Sequence, residues 1–310
     1  MTAIQRTRLS ARRSSGGEYA HLGGGVTHFA AEGPADGVPL LLVHGATVPL
    51  WEFDLLAPQL HAAGFRTLRF DLYGHGLSDR PSVDYTLDLF AEQAAELLEV
   101  TAFPRPAAVL GHSLGAAIAA RLAARRPGSV RRLVLVAPML DFNATSSWTP
   151  AFRLPGVGEA LMRFVGVPAL VRRRRRRYAG IGQPHLTGMF LEQISYPGFA
   201  QALLSMIRLG TLGDQSARYA ALRELAPEVL VISGGDDVVI PARDIARVCE
   251  LLGACRRTEI EGAQHILLLT HPAPVVAAVR SFALVPGLRL GGGVDAGRER
   301  PGVPRGALEL

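Results

Sequence analysis

From residue 38 to 137 the chain alternates between short apolar runs and longer amphipathic stretches. The run Val38-Pro39-Leu40-Leu41-Leu42-Val43 holds no polar position, which suits a strand covered on both faces rather than one. Similar runs end near Asp71, at Leu110 and at Ala137. Between them, residues 51–63 carry helical spacing, with Trp51, Leu55, Leu56 and Leu60 on related faces, and residues 85–100 set acids among leucines and alanines. Ahead of this block, residues 18–32 read as two short strands around Gly23-Gly24-Gly25, a hairpin. The pattern predicts an α/β fold with a mostly parallel central sheet and helices on both faces.

The alternation stops at Pro138. Residues 139–215 hold scattered prolines and glycines with helical patches at 158–165 and 189–194, the composition of a mostly helical insertion. Strand-like residues 228–232 resume the earlier pattern, followed by a helix at 243–252, a strand at 257–260 and a closing helix from Pro272. The expected organisation is a disordered tail at 1–17, a core made of 18–138 and 216–285, a helical cap at 139–215, and a second disordered tail at 286–310.

Composition changes this picture little. Hydrophobic residues make up 48% and charged residues 19%, ordinary for a domain with a sizeable core. The net charge of +6 is local. Arg172, Arg173, Arg174, Arg175, Arg176 and Arg177 form one run, and without them 27 basic residues face 27 acidic ones. Nucleic acid is therefore not an expected partner. The run itself reads as a solvated helix face, or as a weak contact with anionic membrane or an acidic carrier. Two cysteines are too few for a disulfide scaffold and lack metal-site spacing. No apolar segment follows Arg12-Arg13, and no apolar stretch is long enough to span a bilayer. A cytoplasmic protein is expected.

The sharpest chemical signal is Gly111-His112-Ser113-Leu114-Gly115. It lies between an apolar strand and the alanine-rich stretch 116–123. A strand that reverses into a helix this quickly must turn at the serine, and flanking side chains would collide with neighbouring elements. The turn exposes the Ser113 hydroxyl beside the first N–H groups of a helix, which suits developing negative charge.

Four further segments stand in order around it: His44-Gly45 after a strand, Asp71-x-x-Gly74-x-Gly76-x-Ser78, Gly234-x-x-Asp237-x-x-x-Pro241, and His265 before a closing helix. With these the chain resembles the α/β-hydrolase superfamily over roughly residues 18–285. More narrowly it is similar to cap-bearing serine esterases and lipases, near monoacylglycerol lipases and ring-cleavage-product hydrolases.

The resemblance implies a triad of Ser113 as nucleophile, His265 as base and Asp237 as acid. His271 is the competing histidine, and Asp141, just past a strand end, is the competing acid. It also implies an oxyanion hole from the backbone N–H groups of Ala46 and Leu114. Asp71, Gly74, Gly76 and Ser78 are expected to tie a loop rather than to react. Met139, Trp148, Phe152 and Phe190 are the expected apolar pocket in the cap. The expected reaction is cleavage of a carboxylic ester with an apolar acyl or alcohol part, through an acyl-enzyme. It calls for no metal and no organic cofactor. Thioester cleavage, acyl transfer and carbon–carbon bond hydrolysis are open on the same triad, as is a receptor that binds without turnover.

Overall fold

The computed structural model of the chain describes residues 17–145, 147–225 and 227–284. The expected tails, apart from Gly17, lie outside the described residues. Eight strands form one sheet: β1 Glu18–Leu22, β2 Gly25–Glu32, β3 Val38–Val43, β4 Phe65–Phe70, β5 Ala107–His112, β6 Val130–Val136, β7 Glu228–Gly234 and β8 Arg256–Ile260. Their order across the sheet is β1-β2-β4-β3-β5-β6-β7-β8. The hairpin β1–β2 and its junction with β4 are antiparallel, and all other pairings are parallel.

The unbroken apolar runs are strands covered on both sides. Alternate residues point to opposite faces of a strand, and two separate cores follow. Leu41, Val43, Leu133, Leu135 and Val231 join one core with helices Leu87–Val100, Leu114–Arg125 and Ala242–Leu252. Leu40, Leu42, Val134, Val136, Leu230 and Ile232 join the other, with Leu56, Leu60, Val275, Val279 and Phe282.

Several boundaries differ from those the pattern predicts. Residues 51–63 are not one helix but a short turn, Leu50–Phe53, and a helix, Ala57–Ala62. Pro58 explains the break, because its ring would clash with the carbonyl four residues earlier and its nitrogen carries no proton. The 85–100 stretch starts as a helix at Leu87, where the Thr86 hydroxyl accepts from the Leu89 N–H at 3.2 Å. Between β6 and β7 lie helices Thr149–Arg153, Val157–Leu161, Val167–Gly180, His185–Ser195, Phe199–Arg208 and Ser216–Leu225. The arginine run sits on Val167–Gly180. Six consecutive arginines have no apolar periodicity to mark the helix bounds, but the stretch is helical, as a solvated helix face requires.

The chain lays β4 beside β3 and then crosses back to place β5 on β3's other edge. Ligands of open α/β sheets bind outside the carboxyl ends of strands at such a reversal. His44-Gly45 leaves β3 there and Ser113 leaves β5 there.

Candidate active site

Strand β5 ends at His112 and the next helix begins at Leu114, so Ser113 alone carries the reversal. Its φ is +54° and its ψ −113°, a conformation that costs a non-glycine residue of order 1–3 kcal/mol. The flanking glycines are required sterically. A Cβ on Gly111 would stand 2.2 Å from the carbonyl oxygen of Gly115, and one on Gly115 would stand 2.1 Å from that of Val43. The neighbouring strand and the following loop hold the turn. The Ser113 N–H donates to the Val136 carbonyl at 2.9 Å, and its own carbonyl accepts from Ala116 at 3.1 Å and Met139 at 3.3 Å.

Ser113 opens on a cavity of about 410 Å³ whose wall also includes His265, His112, Gly45 and Ala46, a size within the roughly 300–1,000 Å³ of small-molecule sites. His265 arrives from the loop after β8. Its Nδ1 lies 2.9 Å from Asp237 Oδ2. A carboxylate can only accept, so Nδ1 carries the proton and Nε2 is left as the basic nitrogen. The other Asp237 oxygen accepts from the N–H groups of Val239 at 2.7 Å and Ile240 at 3.0 Å. Burial alone would raise the Asp237 pKa, but the His265 ring and these two N–H groups outweigh it and hold the carboxyl below its usual range. Burial pulls His265 below the ordinary histidine value, and Asp237 offsets part of that. A lowered pKa favours the neutral imidazole, the form that a general base requires.

Behind Ser113 lies a second charged pair. His112 Nε2 donates to the His265 carbonyl at 3.0 Å, and its Nδ1 stands 3.0 Å from Glu52 Oε1. Nε2 is hydrogen-bonded and Nδ1 lies at ion-pair distance from a carboxylate without hydrogen-bond geometry, an arrangement that favours a charged ring. Burial opposes the charge on each partner. Even so, each holds the other ionised, with His112 raised and Glu52 lowered. Glu52 Oε2 also accepts the Gly45 N–H at 3.2 Å.

The loop after β3 is braced at several polar atoms. His44 Nε2 accepts from Leu72, so its Nδ1 proton goes to the Gly45 carbonyl at 2.7 Å. His75 Nε2 donates to the Ala46 carbonyl at 2.6 Å, and the Gln193 amide to that of Thr47 at 2.6 Å. Among the described residues no hydrogen bond engages the N–H of Ala46 or of Leu114. These two donors stand at the loop after β3 and at the start of the helix after Ser113.

The competing residues sit elsewhere. Asp141 accepts from the Ala144 N–H at 3.0 Å in its own turn. His271 bonds Thr270 beside it and lies on a different cavity. Asp71 ties the loop that follows it, as expected. It accepts from Leu50 and Leu77 N–H at 2.8 Å each and pairs with His28 at 2.7 Å. A Cβ on Gly76, at φ +45°, would stand 2.0 Å from that carboxylate.

Of the four apolar residues expected in the pocket, Met139, Trp148 and Phe152 line the cavity. Phe190 does not. It is fully buried in a separate cluster with Val48, Trp51, Tyr178 and Ile266, because its helix turns that face inward onto the sheet domain. The arginine run is a solvated helix face in part: Arg172, Arg173, Arg175 and Arg176 are exposed and Arg174 and Arg177 half-buried, while Arg173, Arg174 and Arg177 also line the Ser113 cavity.

Sequence reasoning missed Glu52, His75 and the part played by His112. The available signal was an acid embedded in Leu50-Trp51-Glu52-Phe53, where a carboxylate enters an apolar environment only with a partner. Among the described residues no group of three or more His, Cys, Asp or Glu is arranged to hold a metal ion. No helix among them is long and apolar enough to cross a membrane.

Comparison with known proteins agrees with this architecture. A non-heme chloroperoxidase from Streptomyces lividans is 31% identical over 255 residues, covering 77% of this chain and 89% of the relative. A pimeloyl-[acyl-carrier protein] methyl ester esterase from Aeromonas salmonicida is 30% identical over 260 residues, covering 79% and 95%. The crystal structure of a hydrolase from Pseudomonas aeruginosa PA01 superposes with a TM-score of 0.68 at 25% identity, over 87% of this chain and 99% of that one. The model of the alpha/beta hydrolase family matches residues 40–278, and the chain belongs to that family.

Proposed function

We propose that the protein is a serine hydrolase that cleaves a carboxylic ester through an acyl-enzyme. The observation that carries this reading is the 2.9 Å bond between His265 Nδ1 and Asp237, with His265 sharing a cavity with Ser113. As the Ser113 oxygen attacks the carbonyl, His265 Nε2 takes the hydroxyl proton and Asp237 steadies the imidazolium. The carbonyl oxygen gains the negative charge and is received by the N–H groups of Ala46 and Leu114. Each such donor contributes about 3–4 kcal/mol to the transition state. The tetrahedral centre then collapses, the carbon–oxygen bond to the alcohol breaks, and His265 returns its proton to the leaving alkoxide. Water, deprotonated by the same nitrogen, attacks the acyl-Ser113 ester, and the acid leaves as Ser113 recovers its proton.

The apolar wall of Met139, Phe152, Met162 and Ile207 suits an apolar acyl or alcohol part. The likeness to an esterase acting on a methyl ester supports the same bond type. A cytoplasmic setting goes with this reading, as Cys249 and Cys255 are both unbridged. The test is a p-nitrophenyl ester series from short to long acyl chains, with Ser113→Ala alongside. Turnover that peaks at one chain length and drops on the order of 10⁴-fold in the variant supports the reading. Turnover that survives the substitution, or product released once per enzyme and then retained, overturns it.

A further inference from the structure

The arginine run does not face one way. On the helix Val167–Gly180, positions 173, 174 and 177 fall on one side and line the Ser113 cavity. Their commitments differ. The Arg174 guanidinium donates to Thr47 Oγ1 and stacks over the rings of Tyr178 and Phe190. Arg173 and Arg177 have no hydrogen bond or ion pair among the described residues. They lie four apart on a helix, where like charges meet and repel. Among the described residues the one carboxylate on the cavity wall, Glu52, is held by His112 and the Gly45 N–H. Asp237 is near enough to be felt by both arginines, but its oxygens are taken by His265 and two backbone N–H groups. Arg177 is half-buried and Arg173 is exposed on the helix surface; partial burial, then the neighbouring guanidinium groups, pull both below the ordinary arginine range, with Asp237 opposing.

Away from the arginines and from the polar end at Ser113, His265, His112, Glu52 and Thr47, the wall is apolar, from Met139 and Phe152 to Leu203 and Ile207. A natural occupant is therefore apolar over most of its length and anionic at one end. Resting on the hydrolase reading above, we propose that the substrate carries a carboxylate away from its scissile ester, and that Arg173 and Arg177 bind it. A guanidinium presents paired donors in a plane, which matches a carboxylate edge. The same two side chains also form part of the wall of a second cavity of about 730 Å³, shared with Arg172, Arg176, Gln264 and His271. The anionic end thus sits where the two cavities adjoin. A lipid surface would meet the outward arginines instead, and Arg175 lines neither cavity.

The test compares p-nitrophenyl hexanoate with mono-p-nitrophenyl adipate, which has the same chain length and adds a terminal carboxylate. The wild type should favour the adipate ester at least tenfold in kcat/KM. Arg173→Gln/Arg177→Gln should remove that preference through KM, with Arg175→Gln retaining it. To separate this from the hydrolase reading, Ser113→Ala protein is titrated calorimetrically with monomethyl and dimethyl adipate. Tighter binding of the monoanion, abolished by the double substitution, supports the anion site even if no ester turns over. Equal or undetectable binding of the two overturns it. So does a run that shows no carboxylate preference but binds phosphatidylserine vesicles, with Arg175→Gln costing as much as the double variant.

Discussion

His112 reaches across 153 positions of sequence to donate a 3.0 Å hydrogen bond to the backbone carbonyl of His265. The residue before Ser113 thereby fixes the main chain of the residue whose ring is proposed as the base. Glu52 extends this link, because its two oxygens touch His112 and the Gly45 N–H. One buried carboxylate thus ties together the loop after β3, the turn at Ser113 and the loop after β8.

Glu52→Gln keeps the shape and removes the charge that holds the His112 proton. Breaking a buried pair by removing one partner costs about 3–5 kcal/mol, since the remaining charge is stranded. Urea unfolding should register a loss of that size. A misplacement of about 1 Å in the proposed base can cost roughly 100-fold in rate, so kcat should fall by about 10- to 100-fold while KM changes little. A variant with wild-type kcat would show that the network serves stability alone.

The acid can be tested by paired substitutions. Asp237→Asn places an amide donor or a weaker acceptor against His265 Nδ1 and unsettles the tautomer, which is expected to lower kcat by about 10⁴-fold. Asp141→Asn removes a carboxylate that, among the described residues, is bonded within its own turn, and should leave kcat within about twofold. If Asp141→Asn alone abolished turnover, the acid would be misassigned.

Much of this arrangement could be read from the chain before any coordinates, for physical reasons. Glycine at 111 and 115 answers to backbone atoms 2.2 and 2.1 Å from a hypothetical Cβ, so the local constraint is written in the residue type itself. Apolar runs such as Val38–Val43 report burial on two faces directly. The Glu52–His112 pair leaves no such trace, because a single acid and a single histidine 60 positions apart meet only when the sheet is assembled. Phe190 misled for a related reason: an aromatic between β6 and β7 has two apolar environments to enter, the cavity or the contact with the sheet domain. Its type does not distinguish them. The arginine run is largely the surface feature its composition suggests, with four of its six members exposed, but composition says nothing about which side of a helix a cavity lies on.

Gly115→Ala tests the close approach of helix and strand. Both nearest obstacles are carbonyl oxygens, of Val43 and His44, which cannot swing aside as a side chain could. Overpacking of this kind costs about 1–3 kcal/mol, and the urea midpoint should drop accordingly. Activity should fall too, since the helix start that carries the Leu114 N–H must shift. Unchanged stability would mean that helix and strand separate freely.

The pH–rate profile follows from the His265 environment. Burial lowers its pKa below 6.5, with Asp237 only partly compensating, and the neutral ring is the active form. As pH falls, kcat/KM should decline with a midpoint below 6.5. A midpoint above pH 7 in p-nitrophenyl ester hydrolysis would contradict the environment described here.

Stability should respond to acid for a different reason, centred on His75. This ring is fully buried, and burial, followed by the neighbouring His44, lowers its pKa to about 3. The unfolded chain takes up this proton near pH 6.5 and the folded one does not, so stability is lost as pH falls from 6.5 toward 3. By pH 5 the loss from this group is roughly 2 kcal/mol, the product of 1.5 pH units and about 1.4 kcal/mol per unit. Asp71, Asp237 and Glu52, all held below the usual carboxylate range, push in the same direction at lower pH. His112, whose pKa is raised, adds stability as pH drops toward 6.5 and then contributes a constant amount, so it cannot mask the decline. Urea midpoints measured at pH 7.5, 6 and 5 should therefore fall most steeply over the last interval. A flat series down to pH 5 would mean that His75 is protonated in the folded protein and that the loop bearing the Ala46 carbonyl is held in some other way.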